Sequence, residues 1–276
     1  MMTAVTTSQP QRRRLPVALQ LYSVRDQLKD DFRGVVHAVA AMGYDGVQFA
    51  GYGSLGATEM RRLLEETGLQ AAGTHTGLDT LEHGLDEELE YNLAIGNRWV
   101  ICPAIPEARR RDLAGWRDVA ATLNRVGERC AAKGLLLGYH NHAFEFPPLP
   151  DGSGQRGLDV ILGETDPQLV FWEPDVYWVK KGGADPVAMI RQYAGRVPIT
   201  HLKDMTGDAR ETFAEVGEGT LDWPAILEAS ESAGVEWHCV EQDRCDRPPL
   251  ESVRLSVEHL RSWGMGAQTT RPRGGS

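Results

Sequence analysis

Histidines and carboxylates recur where short apolar runs of this chain come to an end. Tyr139-His140-Asn141-His142 closes one run and leads into Phe144-Glu145-Phe146. Glu173-Pro174-Asp175 closes a second, Thr200-His201-Leu202-Lys203-Asp204 a third, and Val240-Glu241-Gln242-Asp243 a fourth. Two or three carboxylates with one or two imidazoles form a donor set for Mn²⁺, Mg²⁺, Co²⁺ or Zn²⁺ that leaves positions open to water or substrate. Asp175, His201 and Glu241 carry this reading, because burying charge at three neighbouring sites without a compensating cation is costly. A lone histidine is more often a hydrogen-bonded structural residue, and that reading covers His37, His83, His238 and His259. His140 and His142, two apart, share one face of a strand. If that face points inward both reach the rim beside the metal, against an even alternative that either is a core histidine. Glu145 follows on a loop that Phe144 and Phe146 would pin, with a solvated glutamate as the competing reading.

These groups converge only if the runs that carry them are neighbouring strands. Apolar runs begin at Leu15, Gly46, Leu69, Arg98, Leu135, Leu169, Val197 and Glu236, and each is followed by a helical stretch. Gly43, Gly68, Gly134 and Gly234 stop the helices before the next strand. Leu135–His140 is almost wholly apolar, as a strand covered on both faces must be. Eight units at a spacing of about 32 residues predict an α/β chain folded as a single-domain (β/α)8 TIM barrel, whose chemistry sits at the C-terminal strand ends. An open doubly wound sheet would alternate too, but no GxGxxG follows the first strand; Ser23-Val24-Arg25-Asp26 stands there instead.

Composition narrows the function. The chain has 276 residues and a formal net charge of −10, which disfavours general binding to a phosphate backbone. Four cysteines at 102, 130, 239 and 245 form no CxxC pair, so buried thiols of a reducing compartment are expected. No apolar run approaches the length of about 20 residues that a membrane helix needs. Arg12-Arg13-Arg14 is not followed by the apolar stretch of a signal peptide. The expected organisation is a flexible leader over 1–14, a catalytic barrel over 15–263 and a disordered tail over 264–276. The protein is expected in the cytoplasm with no nucleic-acid or membrane partner, and homo-oligomer formation is left open.

Six segments together resemble the xylose isomerase-like family of TIM-barrel sugar phosphate isomerases and epimerases. They are LQLYSVR (Leu19–Arg25), YHNHAFEF (Tyr139–Phe146), EPDVYWV (Glu173–Val179), HLKDM (His201–Met205), VGEGTLDW (Val216–Trp223) and VEQD (Val240–Asp243). The resemblance spans Leu15 to Trp263, and its wider group includes inosose dehydratases, ketose 3-epimerases and endonuclease IV. It implies a divalent metal, Mn²⁺ being taken first, held by an acid on strand five, an aspartate on six, a histidine on seven and a glutamate on eight. Asp175, His201 and Glu241 fill the last three places. Many relatives end strand five in a glutamate, whereas this chain has His140 and His142 there; Glu145 is taken as the ligand and the two histidines as acid/base or substrate contacts, with His142 as the alternative ligand.

Such a site removes a proton from carbon beside a carbonyl, the metal stabilising the developing enediolate and a histidine taking the proton. Returning the proton elsewhere gives isomerisation or epimerisation of a sugar or keto-sugar. Expelling a β-substituent gives dehydration or another elimination, acting on a keto-sugar, keto-glycoside or keto-inositol. Tyr22, Arg25, Gln48, His75 and Trp178 are expected substrate contacts. Lys203 is expected either to neutralise an oxyanion or to pair with Asp204. A repair endonuclease would need further ligands, for which His75 is the main candidate.

Overall fold

The computed structural model describes residues 14–266, so nearly all of the expected leader and most of the expected tail lie outside the described residues. The last described residues pack, contrary to a disordered tail beginning at 264: Met265 is buried and Gly266 N donates to Leu15 O at 2.7 Å.

The barrel strands are β1 (Val17–Gln20), β2 (Gly46–Phe49), β3 (Gln70–His75), β4 (Trp99–Cys102), β5 (Leu136–His140), β6 (Val170–Glu173) and β7 (Ile199–Leu202). Two short strands, β8 (Asp204–Met205) and β9 (Phe213–Ala214), form a separate antiparallel ribbon, and β10 (Trp237–Val240) is the eighth barrel strand. Pairing runs parallel in the order β6-β5-β4-β3-β2-β1-β10-β7. The ring closes between β6 and β7 through a bridge of Asp175 to His201, with His201 N donating to Pro174 O at 2.8 Å. The expected TIM barrel is therefore present as one domain. The last seam to close is the one that carries two of the expected ligands.

Period-two alternation divides each strand between two cores. Ala18, Ala72, Trp99, Ile101, Phe171, Ile199, Trp237 and Cys239 fill the barrel interior. Outward residues such as Val47, Val100, Leu137, Tyr139 and Val240 meet the surrounding helices. The interior is packed by large rings set against small neighbours: a Cβ on Gly138 would lie 2.3 Å from the Phe171 ring, so only glycine admits it. Two residues beyond this apolar layer, the same inward face carries Gln20, His140, Glu173, His201 and Glu241.

A helical segment follows every barrel strand, as expected, and three strands are followed by a pair: Leu78–His83 and Leu85–Ala94 after β3, Val176–Lys181 and Pro186–Gln192 after β6, and Arg25–Asp30 and Phe32–Ala41 after β1. Asp31 divides the last pair because its side chain accepts from Gly34 N at 2.8 Å and caps the second. No described helix is long and apolar enough to cross a membrane.

His238 faces the outer core on β10, fully buried, with Nδ1 2.7 Å from Thr200 Oγ1 and Nε2 without a partner. Burial pushes its pKa down from 6.5 to about 4. Between those values the unfolded chain binds the extra proton, so the stability it contributes is full above pH 6.5 and lost as pH falls towards 4. A shift of this size corresponds to a loss on the order of 3 kcal/mol. In urea unfolding at pH 7 and pH 4.5, His238→Gln is expected to lose on the order of 2 kcal/mol less than the parent over that interval. Equal losses would assign the acid sensitivity to other groups.

Candidate functional site

Glu173, at the end of β6, is the hub of the barrel mouth. Its Oε1 accepts from Gln48 Nε2 at 2.6 Å; its Oε2 lies 2.8 Å from His75 Nε2, 3.1 Å from His140 Nδ1 and 3.2 Å from His201 Nε2. Burial works against its charge, but His201 and His75 beside it hold its pKa well below the usual carboxylate range. His201 is held in turn at both nitrogens, Nε2 2.7 Å from Gln48 Oε1 and Nδ1 3.1 Å from Glu241 Oε2. Burial opposes its charge too, yet the Glu173 carboxylate keeps the imidazolium well above its ordinary pKa.

His75 reaches this hub because β3 is irregular. Val47 pairs with Ala71 but Phe49 pairs with Thr74, so β3 carries one more residue than β2 opposite it. Ala72 faces inward. Strict alternation would send Thr74 inward as well. The bulge at Gly73, with φ +135°, reverses the parity, aiming His75 at Glu173 and Thr74 at Asn92.

Lys203 is fully buried, with Nζ 3.0 Å from Asp175 Oδ2, 3.0 Å from Glu241 Oε2 and hydrogen-bonded to Asp243 Oδ2. Burial disfavours the ammonium, but these three carboxylates override it and hold its pKa well above normal. The expected pairing with Asp204 does not occur. Asp204 points to the opposite face and accepts from Gly217 N, Gly219 N, Leu221 N and Trp223 Nε1. Lys203 is thus hydrogen-bonded to Asp243 and ion-paired with Asp175 and Glu241, and its charge is met by carboxylates of the protein itself.

His140, Asp175, His201 and Glu241 each offer one ligand atom, all within 4.8 Å of one another. Two observations fit a divalent cation. Asp175 Oδ2 is enclosed and, although 3.0 Å from Lys203 Nζ, has no aligned hydrogen bond. Glu173, Asp175, Glu241 and Asp243 also outnumber the cations Lys203 and His201 that face them. Taking a cation at His201 Nδ1 requires any proton there to leave. A second group, His75, His140, Glu173 and His201, overlaps the first, but its atoms are already tied together through Glu173. The fifth-strand member of the first group is His140.

Glu145 lies apart from the group. The loop is pinned as expected, with Glu145 and Phe146 buried, but the carboxylate faces the outer core. It accepts from Tyr139 OH at 2.8 Å and His142 N at 2.9 Å, and burial raises its pKa to about 7. Gln48 is likewise no surface for substrate, both of its polar atoms being spent on Gln20, Glu173 and His201. The Arg25 guanidinium lies 4.1 Å over the ring of Tyr22 and donates to Tyr22 O, so it reaches the cavity only through that ring. Trp178 stands behind the site, 5.5 Å from the His142 ring and 5.4 Å from Lys203 Nζ.

A cavity of about 260 Å³ opens over the group, lined by Tyr22, His75, His140, His142, Glu241 and Asp243 among others. The His142 ring packs between Phe144 at 5.6 Å and Trp178, with Nδ1 enclosed and unpartnered. The ring nitrogen left to the cavity is Nε2. Burial first, then the Lys203 charge, lowers its pKa to about 4, so the imidazole is neutral. A cavity of about 250 Å³ at the opposite end of the barrel, lined by Trp99, Phe171 and Arg196, has no such cluster. Sequence reasoning gave no role to Glu173, Gln20 or Asp243. The signal was present for two of them, since Glu173 lies two residues before Asp175 and Asp243 two after Glu241.

Residues 36–263 match the model of the xylose isomerase-like TIM barrel family, and the chain belongs to that family. The resemblance carried by the six motifs is thereby borne out. It is 24% identical over 267 residues to an inosose dehydratase of Geobacillus kaustophilus, covering 82% of this chain and 85% of that one. It is 27% identical over 158 residues to an inosose dehydratase of Clostridium tetani. That match takes in 49% of this chain and 50% of the other, so the chain spans about half the length of this relative. Among solved structures it is similar to a sugar phosphate isomerase/epimerase from Parabacteroides distasonis, with a TM-score of 0.78 at 22% identity over 95% and 98% of the two chains. A structure of IolI protein with a bound zinc atom gives a TM-score of 0.71 at 12% identity over 90% and 97%. At these identities the solved structures speak for the fold.

The bulge makes the geometry testable. A Cβ at Gly73 would lie 2.9 Å from Ile101 Cδ1 and 3.0 Å from Gln48 Nε2, in a backbone region that side chains avoid. Gly73→Ala is expected to lower unfolding free energy by about 2 kcal/mol. It should also displace the His75 ring signals in NMR; unchanged stability and unchanged shifts would remove the bulge from the design of the site.

Proposed function

We propose that this chain is a divalent-metal-assisted enzyme that removes the proton from carbon beside the carbonyl of a sugar or keto-sugar. The observation that carries the reading is the meeting of a four-ligand group and a neutral imidazole on one cavity. His140, Asp175, His201 and Glu241 would hold the cation, with Mn²⁺ as the first ion to test. When bound, such a cation supplies a Lewis acid for the carbonyl and neighbouring hydroxyl oxygens.

The remaining work falls to side chains of this chain. His142 takes the proton at Nε2, because Nδ1 is enclosed and the ring is neutral. Phe144 and Trp178 hold the plane of that ring. Glu173 fixes the orientations of His75, His140 and His201 through hydrogen bonds to all three. Tyr22 and His75, which also line the cavity, would contact the substrate.

The step after proton removal divides two reactions. Return of the proton to the other face or to the neighbouring carbon gives epimerisation or isomerisation. Loss of a β-hydroxyl gives dehydration, the reading favoured by the match to an inosose dehydratase along most of both chains. Both begin with the same abstraction, so one assay serves: keto-sugars and keto-inositols in D₂O, with Mn²⁺ or with chelator, followed by NMR for deuterium uptake and by ultraviolet absorbance for an enone. Deuterium in recovered substrate or epimer supports the first outcome, and enone formation the second; neither, across the panel, sinks the proposal. His201→Ala should lose bound Mn²⁺ and activity together. His142→Phe should keep the metal and lose at least about 100-fold in exchange rate; wild-type exchange by His142→Phe would place the base elsewhere.

A further inference from the structure

Lys203 and the candidate cation have a claim on the same two carboxylates. Asp175 and Glu241 belong to the ligand group, and each also lies 3.0 Å from Lys203 Nζ. The ammonium is wholly enclosed, with the Trp178 ring at 5.4 Å and the Phe213 ring at 5.5 Å on its flank. Water therefore does little to screen it, and charges in such surroundings act on one another far more strongly than in solvent. Asp243 is its third partner and belongs to neither four-residue ligand group.

We propose that Lys203 is an internal competitor of the divalent cation, holding Asp175 and Glu241 together when the ion is absent and weakening its grip when present. This rests on the metal reading given above. Two carboxylates this close, buried and without a cation, would repel one another and destabilise the fold. Lys203 supplies the missing charge, so the barrel folds before any metal arrives. The same charge opposes a divalent ion entering between those carboxylates. Asp243 gives the ammonium a place to remain, so loading needs no rearrangement of the chain. The consequence is a site built for loose, exchangeable metal rather than a permanently held one.

The test is Mn²⁺ titration by electron paramagnetic resonance of the free ion, with urea unfolding in chelator and in excess Mn²⁺, on wild type, Lys203→Met and His201→Ala. Lys203→Met is expected to bind Mn²⁺ at least about tenfold tighter, to unfold at lower urea in chelator and to gain more from Mn²⁺ than wild type does. Binding by Lys203→Met that is equal to or weaker than wild type overturns the inference. If Lys203→Met does not fold without metal, Asp243→Asn takes its place. With its third partner neutralised, Lys203 presses harder on Asp175 and Glu241, so Mn²⁺ binding should weaken at least threefold; unchanged or tighter binding overturns the inference. Wild-type Mn²⁺ binding that survives in His201→Ala would instead overturn the metal reading itself. Mn²⁺ binding by neither wild type nor Lys203→Met would end both proposals.

Discussion

Four carboxylates gathered at one end of a barrel, three of them buried, set the terms for everything around them. Glu173, Asp175, Glu241 and Asp243 are drawn together by parallel strands whose inward positions coincide at the rim, and their repulsion has to be met within the protein. Lys203 meets three of them and the imidazoles of His75, His140 and His201 meet the fourth. The seam between β6 and β7 closes through the backbone of Asp175 and His201 themselves. Charge balance at the mouth and closure of the ring are thus one problem. That coupling explains why two side chains offered for chemistry, Gln48 and Lys203, are instead consumed in holding the others.

The layering beneath the site follows from volume. Trp99, Phe171 and Trp237 fill the interior where the chain supplies glycine or alanine opposite them, as at Gly138 and Ala18. A filled interior gives the polar layer above it a fixed floor, so the hub glutamate is held by packing below and hydrogen bonds around. The bulge at Gly73 is the one departure from strict alternation that the site requires. It costs a residue of regular pairing and returns an imidazole to the hub, while Asn92 holds Thr74 on the other side of the strand.

The barrel was legible in the sequence because its signals are local. Apolar runs of strand length, helix stops at Gly43, Gly68, Gly134 and Gly234, and a steady repeat each act through nearest neighbours, and all eight strands fall inside or beside the runs read for them. That Asp175, His201 and Glu241 meet at one rim was legible for the same reason, each standing at or just beyond a strand end. What escaped depends on parity and on loop direction. Glu145 follows β5 on a loop whose path no periodicity describes, and its carboxylate turns to Tyr139, an outward residue of the strand it follows. His140 stands on the rim beside Asp175, His201 and Glu241 because inward parity puts it there. Glu173 shares parity with Asp175 and was readable by that rule.

Parity also explains why two of the most specific segments of the sequence travel together. Along His201-Leu202-Lys203-Asp204 the side chains alternate, His201 and Lys203 entering the site while Asp204 faces away. Asp204 then collects the backbone of Gly217, Gly219 and Leu221 and the Trp223 indole, which are the body of the VGEGTLDW segment. A buried carboxylate with that many donors is well satisfied, and hydrogen bonds to a charged acceptor are among the stronger ones in a protein. The loop it fastens leads into the helix Trp223–Ala233, which begins where the indole is held. Half of the HLKD segment therefore faces the candidate site and the other half is an anchor. A chain that altered Asp204 would loosen the strand that presents His201 and Lys203, so the two halves are bound to each other by the geometry of a single strand.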